Sequence, residues 1–109
     1  MIIDFNSMEE KAIPSFKGGE KELNTKMFTD SSCKIMRGRL VPGASIGLHT
    51  HDTSSEMIFI LSGKADYIMD DTTELALPGQ AHYCPKGHTH SMINNYDEDL
   101  IFYAVVPEQ

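Results

Sequence analysis

Tryptophan is absent from the chain, and cysteine occurs only twice. Cys33 and Cys84 stand far apart in the sequence. The N-terminus, Met1-Ile2-Ile3-Asp4, lacks a basic region followed by a long apolar stretch, so no secretory signal is read there. The sequence therefore predicts a cytoplasmic location and two reduced, buried thiols. Positive charge is also scarce. Nine Lys and Arg stand against 16 Asp and Glu, for a formal charge of −7 and a pI near 5.0. Nucleic-acid binding needs clustered cations, and Arg37 with Arg39 is the only arginine pair, so nucleic acid is excluded as a partner. Acidic membrane surfaces are disfavoured for the same reason. Long apolar runs are missing too. The longest, Leu100 to Val106, has seven residues, whereas a spanning helix needs about 20. Helical periodicity is equally hard to find, and the best attempt, Ser7 to Lys11, amounts to about one turn.

Turns and short strands are what the chain does contain. Gly18-Gly19, Pro42-Gly43, Ser62-Gly63, Asp70-Asp71, Pro78-Gly79, Lys86-Gly87 and Asn94-Asn95 punctuate it. Ala65, Tyr67 and Met69 alternate with Lys64, Asp66 and Asp70, the period-2 pattern of a strand with one wet face, with Ile68 as the exception on that face. Cys33 to Val41 reads as another strand. Met57 to Leu61 and Leu100 to Val106 are apolar at every position, which predicts strands covered on both faces. Short strands with turns every 8–12 residues imply an all-β sandwich or barrel. No repeat, low-complexity tract or linker divides the chain, so one domain is expected. Residues 33–109 would form its core. Residues 1–32, interrupted by Pro14, Gly18 and Gly19, would supply edge strands or an arm that pairs with another subunit.

Chemistry concentrates in two stretches that hold all five histidines. The first runs Gly43, His49-Thr50-His51, Glu56, Gly63; the second runs Gly79, Pro85-Lys86-Gly87, His90, Asn94. His49 and His51 are two apart, so a strand turns both side chains to one face. Glu56 stands at an odd offset from His51 and rejoins that face only if Asp52-Thr53-Ser54-Ser55 turns. Glu56 then starts a strand with Ile58 and Ile60 on its side. Gly63 closes that strand in a tight turn. Pro85 sets a second turn, Gly87 relieves it, and a new strand carries His90 across from a neighbour. Asn94 holds the following turn through its side chain. His49, His51, Glu56 and His90 are thus a three-nitrogen, one-oxygen ligand set for one divalent transition metal, and Mn, Fe, Co, Ni, Cu and Zn all suit it.

These two stretches resemble the paired motifs of the cupin superfamily, and every defining position of both is filled. The resemblance covers Gly43 to Asn94, and the 15 residues between Gly63 and Gly79 look like the compact spacing of small single-domain bacterial cupins. Gln80 departs from it, since many members have Asp after the glycine; the position is not a ligand. The resemblance implies a double-stranded β-helix, or jelly-roll barrel, with the metal inside, and His49, His51, Glu56 and His90 as its ligands. It also implies a homodimer.

Three neutral imidazoles and one carboxylate leave a bound divalent ion with a local charge near +1, which favours an anionic or oxygen-rich small molecule. The expected function is a small metalloenzyme, dioxygenase-like or an isomerase or lyase. The alternative is a metal-dependent binding or sensing module without turnover. His88, which shares strand parity with His90, is a candidate catalytic group, as are His82 and Tyr67. Cys84 and Tyr83 are weaker candidates. Met36, Met57, Phe59, Met69, Met92 and Phe102 are expected in the core or lining the cavity. Asp97-Glu98-Asp99 reads as a solvated turn. A phosphosugar would need a Lys or Arg cluster, and none is obvious; Arg37 and Arg39, which share a strand face, are one candidate pair.

Overall fold

Alternation of large apolar and polar side chains, cut by the turn residues above, produces ten strands and almost no helix. A computed structural model describes all 109 residues, Met1–Gln109. The strands are β1 Lys11–Pro14, β2 Glu22–Thr29, β3 Cys33–Leu40, β4 Ser45–Thr50, β5 Glu56–Ser62, β6 Ala65–Met69, β7 Thr72–Ala76, β8 Ala81–Cys84, β9 Thr89–Ile93 and β10 Leu100–Pro107. Ser7 to Lys11 is not a helical turn. A 3-10 turn covers Phe5–Ser7 and β1 begins at Lys11; a second 3-10 turn spans Phe16–Gly18.

Every strand pairing is antiparallel. Six strands in the order β1-β2-β3-β10-β5-β8 form one sheet, and four in the order β4-β9-β6-β7 form the other. The two sheets face each other as a jelly roll, and the core lies between them. Leu23, Leu40, Ile58, Phe102 and Leu100 from the first sheet meet Tyr67 and Met92 from the second. Residues 11–29 of the N-terminal third lie as β1 and β2 at one edge of the chain's own larger sheet.

Two strand readings change. β5 and β10 are covered on one face only. Phe59 and Leu61 are 45% and 43% exposed, and Tyr103 is 37% exposed, because they point outward from the larger sheet. Phe59 is therefore not a core residue. Continuous apolar character in β5 marks a greasy outer face, not a second covering layer. Met36, Met92 and Phe102 are buried as expected, while Met57 and Met69 are half-buried. Cys84 is buried and Cys33 half-buried, and both are free thiols. Asp97, Glu98 and Asp99 are exposed.

One close approach fixes the wall nearest the metal motif. A Cβ on Gly47 would strike the carbonyl oxygen of Lys17, and one on Gly19 would strike Ser45, so the second 3-10 turn lies directly against β4. Gly63 has φ +82, as the tight turn requires. Asn94, fully buried, donates from Nδ2 to the carbonyls of Leu40 (2.9 Å) and Glu98 (2.8 Å) and accepts from the Tyr96 N–H (3.1 Å). Replacing Asn94 by Ala removes the buried donor to the Leu40 and Glu98 carbonyls. The expected loss is about 2 kcal/mol in a urea unfolding titration, and an unchanged midpoint would contradict this role for the side chain.

Candidate metal centre

Strand pairing assembles the site from three elements. His49 on β4 lies directly opposite His90 on β9. The β4–β9 register shifts between Ile46 and His49, an irregularity just before the first histidine. His51 follows the end of β4, where its N–H donates to the His88 carbonyl and its carbonyl accepts from Gly87. Glu56 opens β5 in the other sheet, and the turn Asp52–Ser55 brings it back to the histidines. Ser54, in that turn, bridges to Glu108 at the C-terminus. His49, His51 and His90 thus come from the smaller sheet's side and Glu56 from the larger sheet.

The four ligand atoms lie within 4.8 Å of one another and could hold a metal ion. His51 Nε2 sits 3.2 Å from His49 Nε2 and 3.0 Å from His90 Nε2. Glu56 Oε1 is 3.2 Å from His51 Nε2 and 3.0 Å from His90 Nε2. Each imidazole's other nitrogen is engaged on the far side. His49 Nδ1 donates to the Gly47 carbonyl at 2.7 Å, His51 Nδ1 meets Ser54 Oγ at 3.0 Å, and His90 Nδ1 meets His82 Nε2 at 3.0 Å. A carbonyl only accepts, so the His49 proton is on Nδ1 and its Nε2 lone pair faces the cluster. The same tautomer at His51 and His90 aims three lone pairs and a carboxylate at one point. That donor set fits a divalent transition ion.

Electrostatics point the same way. Burial lowers the pKa of His49, and the neighbouring His90 and His51 lower it further against the opposing pull of the Gly47 carbonyl. Burial alone would raise the Glu56 pKa, but His51 and His90, which donate to it from Nε2 once they are protonated, outweigh burial and bring it down to about 2. Glu56 is therefore ionised throughout the histidine range.

A cavity of about 350 Å³ opens on His49, His51 and Glu56. Met27, Met36, Ile46 and Val106 make its apolar wall, and Lys17, Lys34, Asp52 and Glu108 add charge. Lys17 holds a left-handed backbone (φ +55) in the turn that Gly19 and Gly47 clamp against β4, a conformation that costs energy in a non-glycine residue.

The other sequence candidates are distributed differently. His88 precedes β9, lies outside the lining of the cavity and pairs through Nδ1 with Asp70 Oδ2 at 2.8 Å. Strand parity with His90 does not reach it, because the strand starts at Thr89. His82 is buried directly behind His90. Tyr67 is buried too and stacks on His82, with centroids 3.7 Å apart and planes 10° from parallel. Its pKa is pushed upward by burial, with Glu56 and Glu74 adding to the effect. Burial, then Glu56 and Asp70, push the Cys84 thiol up to about 11, which makes it a poor nucleophile. Tyr83 is 56% exposed on the outer face. Arg39 bonds to Glu10 and Asp99, and neither it nor Arg37 lines the cavity. Sequence reasoning missed Lys17, Lys34, Ser54 and Glu74. Only Lys34 carried a signal, two residues before Met36 on the inward parity of β3.

Protons compete with a metal for each Nε2, so affinity falls as pH drops from 8 to 5. His49, with its lowered pKa, is held neutral further into acid than an unperturbed histidine. Titrating Co(II) across this range should show that fall, and His90→Ala should lose stoichiometric binding while keeping the β-sheet circular dichroism. A flat pH profile, or full Co(II) content in the variant, would refute the ligand set.

Comparison with known proteins agrees with this geometry. The family model described as "Cupin domain" matches residues 36–106. An oxalate-binding protein of Thermotoga maritima is 26% identical over 112 residues, spanning 97% of this chain and 93% of its own. Among solved structures, a predicted oxalate decarboxylase from Thermotoga maritima superposes with a TM-score of 0.93 at 24% identity over the whole of both chains. A cupin-superfamily sugar phosphate isomerase from Silicibacter pomeroyi reaches 0.81 at 20% identity, over all of this chain and 76% of its own. At these identities the two structures establish shared fold.

Proposed function

The chain belongs to the cupin family, and from that premise we propose that it binds a small, oxygen-rich carboxylate anion at a divalent transition metal held by His49, His51, Glu56 and His90. One observation carries the reading: the ligand cluster opens into a cavity whose charge changes sign with the metal. Without an ion, Lys17 and Lys34 stand against Asp52, Glu56 and Glu108, a net charge of minus one with neutral histidines. A divalent ion turns that to plus one. Anion binding is thereby conditional on the metal. The name of the Thermotoga maritima relative makes oxalate the first ligand to test. At about 350 Å³ the cavity also has room for larger α-keto or α-hydroxy acids.

The bound metal would act as a Lewis acid or redox centre with one or two positions left for ligand or O₂. Those open positions favour a second reading, dioxygenase-like or lyase turnover of the same anion. The chain's own contribution is to bind and orient: lysines at the cavity for the carboxylate, an apolar wall that excludes water, and Glu56 held ionised beside the histidines. A phosphosugar is a weaker fit, since Arg37 and Arg39 lie outside the cavity.

Calorimetry with oxalate should show binding to the Mn(II)- or Co(II)-loaded protein and none to chelator-treated protein. Lys34→Ala should weaken it about fivefold, the worth of one partly screened charge pair. Binding that survives removal of the metal would overturn the proposal. Oxalate recovered unchanged under O₂ supports the binding module, and its conversion to formate or CO₂ supports the enzyme.

A homodimer follows as part of the same proposal. Phe59, Leu61, Tyr83 and Tyr103 are exposed on the outer face of the larger sheet. Tyr103 pairs with Phe59, and Met57 with Tyr83, so these side chains form one continuous patch across β10, β5 and β8. Continuous patches of this kind mark association surfaces, and a second copy of this chain is the occupant proposed. Light scattering should give twice the 12.2 kDa chain mass and a monomer for Phe59→Glu; a wild-type monomer would refute the dimer.

A further inference from the structure

His90 is backed by a chain of groups that runs away from the metal cluster to the protein surface. Its Nδ1 meets His82 Nε2 at 3.0 Å, and His82 Nδ1 meets Glu74 Oε1 at 2.8 Å. The Glu74 side chain is half exposed, whereas His82 is almost fully buried. The rings of His82 and His90 are 13° from parallel, and Tyr67 packs flat on His82. Stacking fixes the plane of the His82 ring, so both of its nitrogens are held on line between Glu74 and His90.

Donor and acceptor roles then follow in one direction only. A carboxylate accepts, so His82 carries its proton on Nδ1 and presents a bare Nε2. His90 must therefore donate from Nδ1, which leaves its own Nε2 bare and facing Glu56 and His51. An exposed carboxylate thus dictates, through a neutral imidazole, the tautomer of a residue in the metal cluster. The arrangement also ties the sheets together. Glu74 lies on β7 and His82 on β8, the edge strands of opposite sheets.

We propose that Glu74 and His82 are positioning residues for His90, locking it as the Nδ1–H tautomer and strengthening its Nε2 as a metal ligand. Carboxylates bonded to the far nitrogen of a ligating histidine do this in metalloproteins generally; here the effect passes through an intervening imidazole. The inference rests on the metal reading of the cluster for its effect on affinity, but its tautomer claim stands on the metal-free protein.

Glu74→Ala is the decisive variant, because its half-exposed side chain can be removed without opening the core; His82→Leu, at a buried site, is secondary. Competition titration with Co(II) should show Glu74→Ala binding at least tenfold more weakly than wild type, with an altered visible Co(II) spectrum and an unchanged thermal midpoint of the metal-free protein. Nitrogen-15 NMR of the metal-free proteins should show a single Nδ1–H form of His90 in wild type and mixed tautomers in the variant. Co(II) affinity and spectrum equal to wild type would overturn the proposal, as would a loss of affinity matched by a loss of metal-free stability. Wild type failing to bind Co(II) would sink the metal reading instead. The His90 tautomer, unchanged or mixed in Glu74→Ala, would then decide the positioning role alone.

Discussion

Like groups are forced together at the centre of this protein. Three imidazole nitrogens and a carboxylate oxygen converge within 4.8 Å of one another, with the closest pairs at 3.0–3.2 Å. Lone pairs at such distances repel unless a cation or shared protons lie among them. The fold withstands this because each ring is gripped from behind, by the Gly47 carbonyl, the Ser54 hydroxyl or the His82 ring. The irregular end of β4, the turn Asp52–Ser55 and the reach of His82 from β8 to His90 on β9 are the means of that grip. A cation would relieve the repulsion and join the two sheets, since Glu56 reaches the cluster from the larger sheet and the histidines from the smaller one. Binding of such a cation would therefore be coupled to fold stability by ordinary linkage.

Much of this was legible in the sequence, for a specific reason. Ligand identity depends on spacing along single strands and on the turns beside them, which are local properties. Glu56 illustrates the point, because its odd offset from His51 makes sense only with a turn at Asp52–Ser55, and those residues have turn composition. Asn94 was equally readable, since a polar residue after a strand and before an acidic turn has backbone groups to satisfy. His82 and Cys84 share one parity along β8, and both are buried.

What the sequence did not show depends on contacts between distant strands. Glu74 reaches His82 only because the β6–β7 hairpin folds over the edge of the other sheet. Lys17 reaches the cavity only because Gly19 and Gly47 let a 3-10 turn sit on β4. His88 stands one residue before its strand, in a turn where Asp70 offers a partner, so strand parity with His90 does not extend to it. Phe59 misled because apolar composition reports what a residue tolerates and not which layer covers it. Its exposure is real in the single chain, and it is the kind of surface a second copy would bury.

Taken together, the five histidines leave a constraint on chemistry. Three converge on a position that could hold a metal, His82 is committed to His90 and Glu74, and His88 is committed to Asp70 outside the cavity. No imidazole remains free to shuttle protons for a ligand in the cavity. Tyr67 is buried behind His82, and the Cys84 thiol is pushed up to about 11. Proton transfer to a bound anion would have to use Lys17, Lys34, Asp52 or Glu108, all with one side toward water. In this arrangement the buried titratable groups face one another around a position that could hold an ion. On the proposed reading, selectivity for an anion would come from the metal's charge, from Lys17 and Lys34, and from the apolar side chains that line the same cavity.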